Sequence, residues 1–188
     1  MADMNITLAP LSAEDREQFI LDNQWAFKHG ATEEFGQRDD HIDGDGEIIS
    51  RRTIERCIDA HDSETYRILA DGRYVGGTIL KINNESRENE LEILFIKPEE
   101  HSKGIGQAAW RAIEALHPET RRWETCTPYF EKRNIHFYVN KCGFVIDQFW
   151  CEHFTPEHEM PDDDDYDPDD GPDEMFRFVK VMKQEKVR

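Results

Sequence analysis

Ile96-Lys-Pro-Glu-Glu-His-Ser-Lys-Gly-Ile-Gly-Gln-Ala-Ala109 leads from an apolar strand through a glycine-punctuated turn directly into a helix. Gly104 and Gly106 remove the Cβ atoms that would keep a ligand off the main chain. The first turn of the helix offers amides without intrahelical partners. With the positive end of the helix dipole they suit phosphate. The stretch is no dinucleotide fingerprint, because Ala109 stands where a third glycine is needed and the strand before it is the fourth, not the first of a βαβ unit. Walker A is absent as well.

Working outward, residues 90–96 read as a central strand, reached through the polar turn Asn83-Asn-Glu-Ser-Arg-Glu88. Before it, Tyr66-Arg-Ile-Leu-Ala70 and Arg73-Tyr-Val-Gly-Gly-Thr-Ile-Leu80 flank Asp71-Gly72, a pair that supplies the positive φ angles of a two-residue hairpin turn. Ile6-Thr-Leu-Ala-Pro-Leu11 predicts a first strand, and Ser12 with Asp15 predicts an N-cap. The helix that follows has Phe19, Ile20, Trp25, Ala26 and Phe27 on one face and Gly30 as its stop. An irregular loop is expected over 31–47 and a second helix over about 48–60, with Ile54, Cys57 and Ile58 inward.

Downstream, Ile105, Ala108, Ala109, Ala112, Ile113 and Leu116 recur at helical spacing. Strands are predicted at 123–126, 144–151 and 175–182, and a helix over 134–141 that Gly143 ends. The expected order is strand, two helices, three strands, helix, strand, helix, two strands. That gives an α/β fold with one mixed, mostly antiparallel sheet of about seven strands and about four helices. Residues 162–174 hold nine carboxylates among prolines and predict an exposed acidic loop at about 155–174, before the last strand.

At 188 residues the chain fits a single domain, 1–188. Cys57, Cys126, Cys142 and Cys151 have no metal-like spacing, which argues for reduced thiols in the cytoplasm. No window approaches the roughly 18 apolar residues of a membrane span, and the first residues lack a basic then apolar leader. A formal charge of −18 opposes nucleic acid and anionic lipid and favours cationic partners. An anionic ligand can still bind at contact, since charges beyond a Debye length of about 10 Å are largely screened. No metal is expected: Asp43-Gly-Asp-Gly46 resembles the middle of a calcium loop, but His41 and Arg52 stand at its first and last ligand positions.

His101-Ser-Lys-Gly-Ile-Gly106 resembles the Gln/Arg-x-x-Gly-x-Gly/Ala motif of the GNAT superfamily of N-acetyltransferases, with His101 in place of Gln or Arg. Asn134-Ile-His-Phe-Tyr138 followed by Lys141-Cys-Gly-Phe144 is similar to a second feature of that family, and the element order matches over residues 5–182. The resemblance implies acetyl-CoA as co-substrate. The backbone of Leu94, Phe95 and Ile96 would pair with the pantetheine arm, and His101, Ser102, Lys103, Gly104, Ile105, Gly106 and Gln107 would surround the pyrophosphate. Asn134 would reach the arm from the other side. A phosphate contact from His101 would make cofactor affinity vary near pH 6–7, about the histidine pKa. A homodimer follows from family habit alone.

An alkylammonium has no lone pair at neutrality, so direct attack on a thioester needs a proton acceptor. Glu90 and Glu92 stand two apart on one strand and share a face. Both fall where the family often places its base, and Glu92 is favoured. Tyr138 matches the family's general acid for the departing thiolate, and at i and i+4 it should face the same groove as Asn134. The acceptor is a small-molecule or peptide amine, and the acidic tract suits a cationic one. A catalytically silent acetyl-CoA sensor, or an interaction module using its acidic loop, are the alternatives.

Overall fold

The computed structural model describes residues 4–35 (31–35 by backbone only), 47–101, 103–151, 153–154 and 174–183. Two compact units divide the chain, Met1–Thr120 and Arg121–Arg188. The calls on residues 36–46, on Ser102 and on the acidic tract up to residue 173 lie outside the described residues.

In the first unit, β1 (Ile6–Pro10), β2 (Ser63–Ala70), β3 (Arg73–Lys81) and β4 (Glu88–Ile96) form an antiparallel meander. The hairpin turn takes the expected form, with Asp71 at φ 50° and Gly72 at φ 80° between the paired Ala70 and Arg73. Helices α1 (Arg16–Phe35) and α2 (Arg51–Asp59) cover one face, where Phe19, Ile20, Ala26 and Ile54 meet Ile79, Ile93 and Phe95. Helix α3 (Ile105–Leu116) covers the other, with Ile105 and Ala109 against Ile68, Ala70 and Val75.

Ser12 caps the turn that enters α1 through its side chain, which accepts from the Asp15 amide. Gly30 does not stop the helix, which continues to Phe35, so the expected loop is helical at 31–35. A mid-helix glycine costs only about 1 kcal/mol relative to alanine, and the buried stripe of Phe19, Ile20 and Ala26 outweighs that. Trp25 is 48% exposed rather than inward, and buried Asn23 takes its place on the inner face. Ser50 caps α2 by accepting from the Thr53 amide at 3.0 Å, so that helix starts later than expected. In α3 the buried residues are Ile105, Ala109, Trp110 and Ile113. Leu116, the last residue of the helix, is exposed, and Trp110 supplies the bulk its periodicity promised.

The second unit holds β5 (Arg122–Pro128), α4 (Lys132–His136), β6 (Val145–Trp150) and β7 (Met175–Val181), with β7 antiparallel to both other strands. From Phe137 to Cys142 helix α4 widens into a π-helical segment, which Gly143 ends at φ 79°. Trp123, Tyr138, Cys142, Phe144 and Phe178 are buried here. No helix among the described residues is long and apolar enough to cross a membrane.

Candidate active site

Beyond β4 the chain makes one tight turn, Pro98–Glu100, closed by bonds from the Glu100 amide to Lys97 O at 2.9 Å and from the His101 amide to Pro98 O at 3.1 Å. Gly104 then adopts φ 76°, the left-handed conformation that favours glycine, immediately before α3. Ala108 donates to Gly104 O at 3.1 Å, which leaves the amides of Ile105, Gly106 and Gln107 outside the ladder of the helix itself. Nothing lies within 4 Å of the place a Gly104 Cβ would occupy, and the glycine is exposed. The turn therefore has the glycine conformation and the helix start expected of it.

Its side chains are arranged differently from the expectation. His101 Nε2 lies 2.8 Å from Ile96 O. A carbonyl only accepts, so that nitrogen carries the proton and is committed to the strand end rather than to a ligand. The ring also stands 6.1 Å from that of His29 on α1. Lys103 Nζ donates to Glu100 Oε2 at 2.7 Å, and Arg73 approaches the same carboxylate at 3.5 Å. The Lys103 bond holds Glu100 below the usual carboxylate range.

Leu94, Phe95 and Ile96 pair with Thr78, Gly77 and Gly76 of β3. A Cβ on Gly76 would collide with the Phe95 carbonyl oxygen, and one on Gly77 with the rings of Phe19 and Phe95. Gly76 lets β4 lie close against β3, and Gly77 leaves room for the Phe19 ring of α1. Behind the loop, Lys97 Nζ reaches Asp22 Oδ2 at 3.2 Å. Asp22 and Asp15 also clasp Arg67, which is 2% exposed. An arginine among apolar residues in a predicted strand was the available signal for this buried network, and periodicity passes over it.

Strand β4 is irregular at Glu92. Ile93 pairs with Ile79 and Leu91 with Leu80, so Glu92 is the extra residue of a bulge. Burial first, and then the charges of Glu92 and Glu90, push the thiol of Cys57 on α2 up. Cys57 Sγ lies 3.6 Å from Glu92 Oε2, and Lys81 Nζ lies 3.9 Å from Oε1. Sequence pattern turned Cys57 inward without naming its partner, and it passed over Lys81.

In the second unit Asn134 is exposed and donates to Thr127 Oγ1 at 3.3 Å. Tyr138 is 8% exposed, ringed by Phe137, Phe144 and Phe178, and its hydroxyl bonds Thr125. Thr127 and Thr125 stand two apart on β5, so Asn134 and Tyr138 meet the same face of that strand although the helix widens from Phe137. Burial raises the Tyr138 phenol above its ordinary value, so it keeps its proton at neutral pH. No group of histidine, cysteine and carboxylate side chains able to hold a metal occurs among the described residues.

The model of the acetyltransferase (GNAT) family matches residues 20–144. The chain is 44% identical over 171 residues to the uncharacterized protein YrkN of Bacillus subtilis, covering 90% of each chain. A paia N-acetyltransferase from Thermoplasma acidophilum, solved in complex with coenzyme A, is 19% identical at a TM-score of 0.62, with 95% of this chain and 100% of that chain covered. A spermidine N-acetyltransferase from Vibrio cholerae, solved with CoA and spermine, is 17% identical at a TM-score of 0.61, with 94% and 95% covered. These likenesses bear out the expected α/β fold, with its mixed sheet of seven strands and four helices.

Proposed function

Because the chain belongs to the acetyltransferase (GNAT) family, we propose that it transfers the acetyl group of acetyl-CoA directly to a primary amine, and that both units serve one N-acetyltransferase domain. The observation that carries this is the left-handed Gly104 with the amides of the next turn outside the helix ladder. Main-chain N–H groups at a helix start are suited to a diphosphate, and the exposed glycine lets one approach. Lys103, Ile105, Gly106 and Gln107 complete the cradle, while His101 holds its shape through Ile96. The backbone of Leu94, Phe95 and Ile96 and the side chain of Asn134 are assigned to the pantetheine arm.

Bound acetyl-CoA supplies the thioester whose acyl carbon forms the new C–N bond as its C–S bond breaks. Glu92 takes one proton from the acceptor ammonium, which frees the nitrogen lone pair, and Glu90 beside it favours a cation there. Tyr138, protonated at neutral pH, is the donor assigned to the thiolate, and the second proton that the nitrogen sheds as the amide forms returns to the phenolate. The acceptor is cationic, a reading supported by the −18 charge of the chain and by the spermidine N-acetyltransferase among similar folds. Four free cysteines support a reducing compartment, and we place the protein in the cytoplasm.

The test is acetyl-CoA with a panel of polyamines, aminoglycosides and lysine peptides, reading both CoA thiol release and the mass of the product. Amine-dependent release that falls about 100-fold in Glu92→Gln is expected. Binding of acetyl-CoA without turnover of any amine makes the protein a sensor instead.

A further inference from the structure

Glu92 carries its carboxylate at the bulge of β4 with two described partners on different oxygens. Cys57 Sγ stands 3.6 Å from Oε2, within reach of an S–H donor, and Lys81 Nζ stands 3.9 Å from Oε1, too long for a hydrogen bond. Cys57 comes from α2, whose Ile54 is buried in the core beside Ile93, so the thiol is held by a packed element rather than by a loop. We propose that Cys57 is a positioning residue, its thiol donating to Glu92 Oε2 so that Oε1 is the oxygen presented to the acceptor ammonium. The inference rests on the acetyl-transfer reading and on Glu92 as its base.

Three features fit a thiol to this task. It stays protonated, because burial, the Glu92 charge and the bond itself push Cys57 up to about 12. A thiol is a weak donor, so it orients the carboxylate without gripping it as a hydroxyl would. A bulge residue lacks a partner across the ladder and needs some other contact to fix its side chain. The same protonated state removes Cys57 as a nucleophile at neutral pH, so no acyl-cysteine forms and the amine meets the thioester directly. The other charges near the pair are Lys81 from β3, Glu90 from β4 and Arg56 from α2.

Two measurements test it. The first compares kcat and KM of Cys57→Ala and Cys57→Ser in the full chain. Loss of the donor should lower kcat about 3- to 10-fold. KM for acetyl-CoA should hold, and Cys57→Ser, which keeps a donor at that place, should restore kcat. The second needs no turnover: iodoacetamide labelling at pH 8.5, read for the Cys57 peptide by mass spectrometry. Glu92→Gln removes the charge that keeps the thiol protonated, and Cys57 should label about tenfold faster. Equal labelling rates, or a kcat that Cys57→Ala leaves unchanged, overturn the positioning role alone. Faster labelling in a protein that acetylates no amine keeps the contact and overturns the role through failure of the acetyl-transfer reading.

Discussion

Arg67 Nη1 lies 2.7 Å from Asp22 Oδ2, and that same carboxylate oxygen takes Lys97 Nζ at 3.2 Å. One ion chain thus ties β2 to α1 and α1 to the root of the glycine loop. Removing one partner of a buried pair leaves an uncompensated charge, so Arg67→Ala should cost about 3–5 kcal/mol of stability. Urea unfolding checks this, and a loss under about 1 kcal/mol would mean that solvent reaches the pair.

Asp22 also sets a pH dependence. Burial alone would raise its pKa, but hydrogen bonds from Gln18, Arg67 and Lys97 together hold it below the ordinary value. A depressed carboxylate contributes stability above its unfolded pKa of about 3.9, and that contribution is lost as pH falls through the lower folded value. Thermal unfolding of Asp22→Asn should therefore be less stable than wild type at pH 6, with the gap closing below about pH 4. A constant gap down to pH 2.5 would remove Asp22 as its source.

Gly104 has open space around it but a positive φ of 76°, so Gly104→Ala meets strain rather than collision. The expected cost is about 1–2 kcal/mol, a fall in Tm of roughly 2–8 °C. Relief of that strain would pull the turn away from the α3 amides, and coenzyme A affinity should drop about tenfold. Gly76→Ala places its Cβ against the Phe95 carbonyl oxygen and should fail at folding instead. Melting curves with and without coenzyme A distinguish the two behaviours.

Tyr138 has its hydroxyl on Thr125 inside an aromatic cluster. If it protonates the leaving thiolate, Tyr138→Phe should lower kcat about 100-fold and leave coenzyme A affinity within about twofold. Unchanged turnover would reduce Tyr138 to a packed aromatic. A Thr125→Val variant with the same loss of stability as Tyr138→Phe but normal turnover separates packing from chemistry.

What could be read in the sequence was local. Asp71-Gly72 dictates its own turn, Ser12 and Asp15 stand three residues apart, and Gly104 sits between a strand and a helix that are each evident from their residues. Long-range partners decided the rest. Cys57 meets Glu92 across 35 residues and Arg67 meets Asp15 across 52, separations that periodicity does not report. The bulge at Glu92 exists only in the register against β3. Gly30 misled because its helical penalty is small beside the buried face of α1, and the π-helical segment from Phe137 went unread because it has no signature in residue spacing.

Calorimetric titration of the full chain with coenzyme A reaches the central claim most directly. The account predicts saturable heat at wild type and markedly weaker association for Gly104→Ala. Absence of any heat of association at wild type, under conditions where the protein is folded, would contradict it.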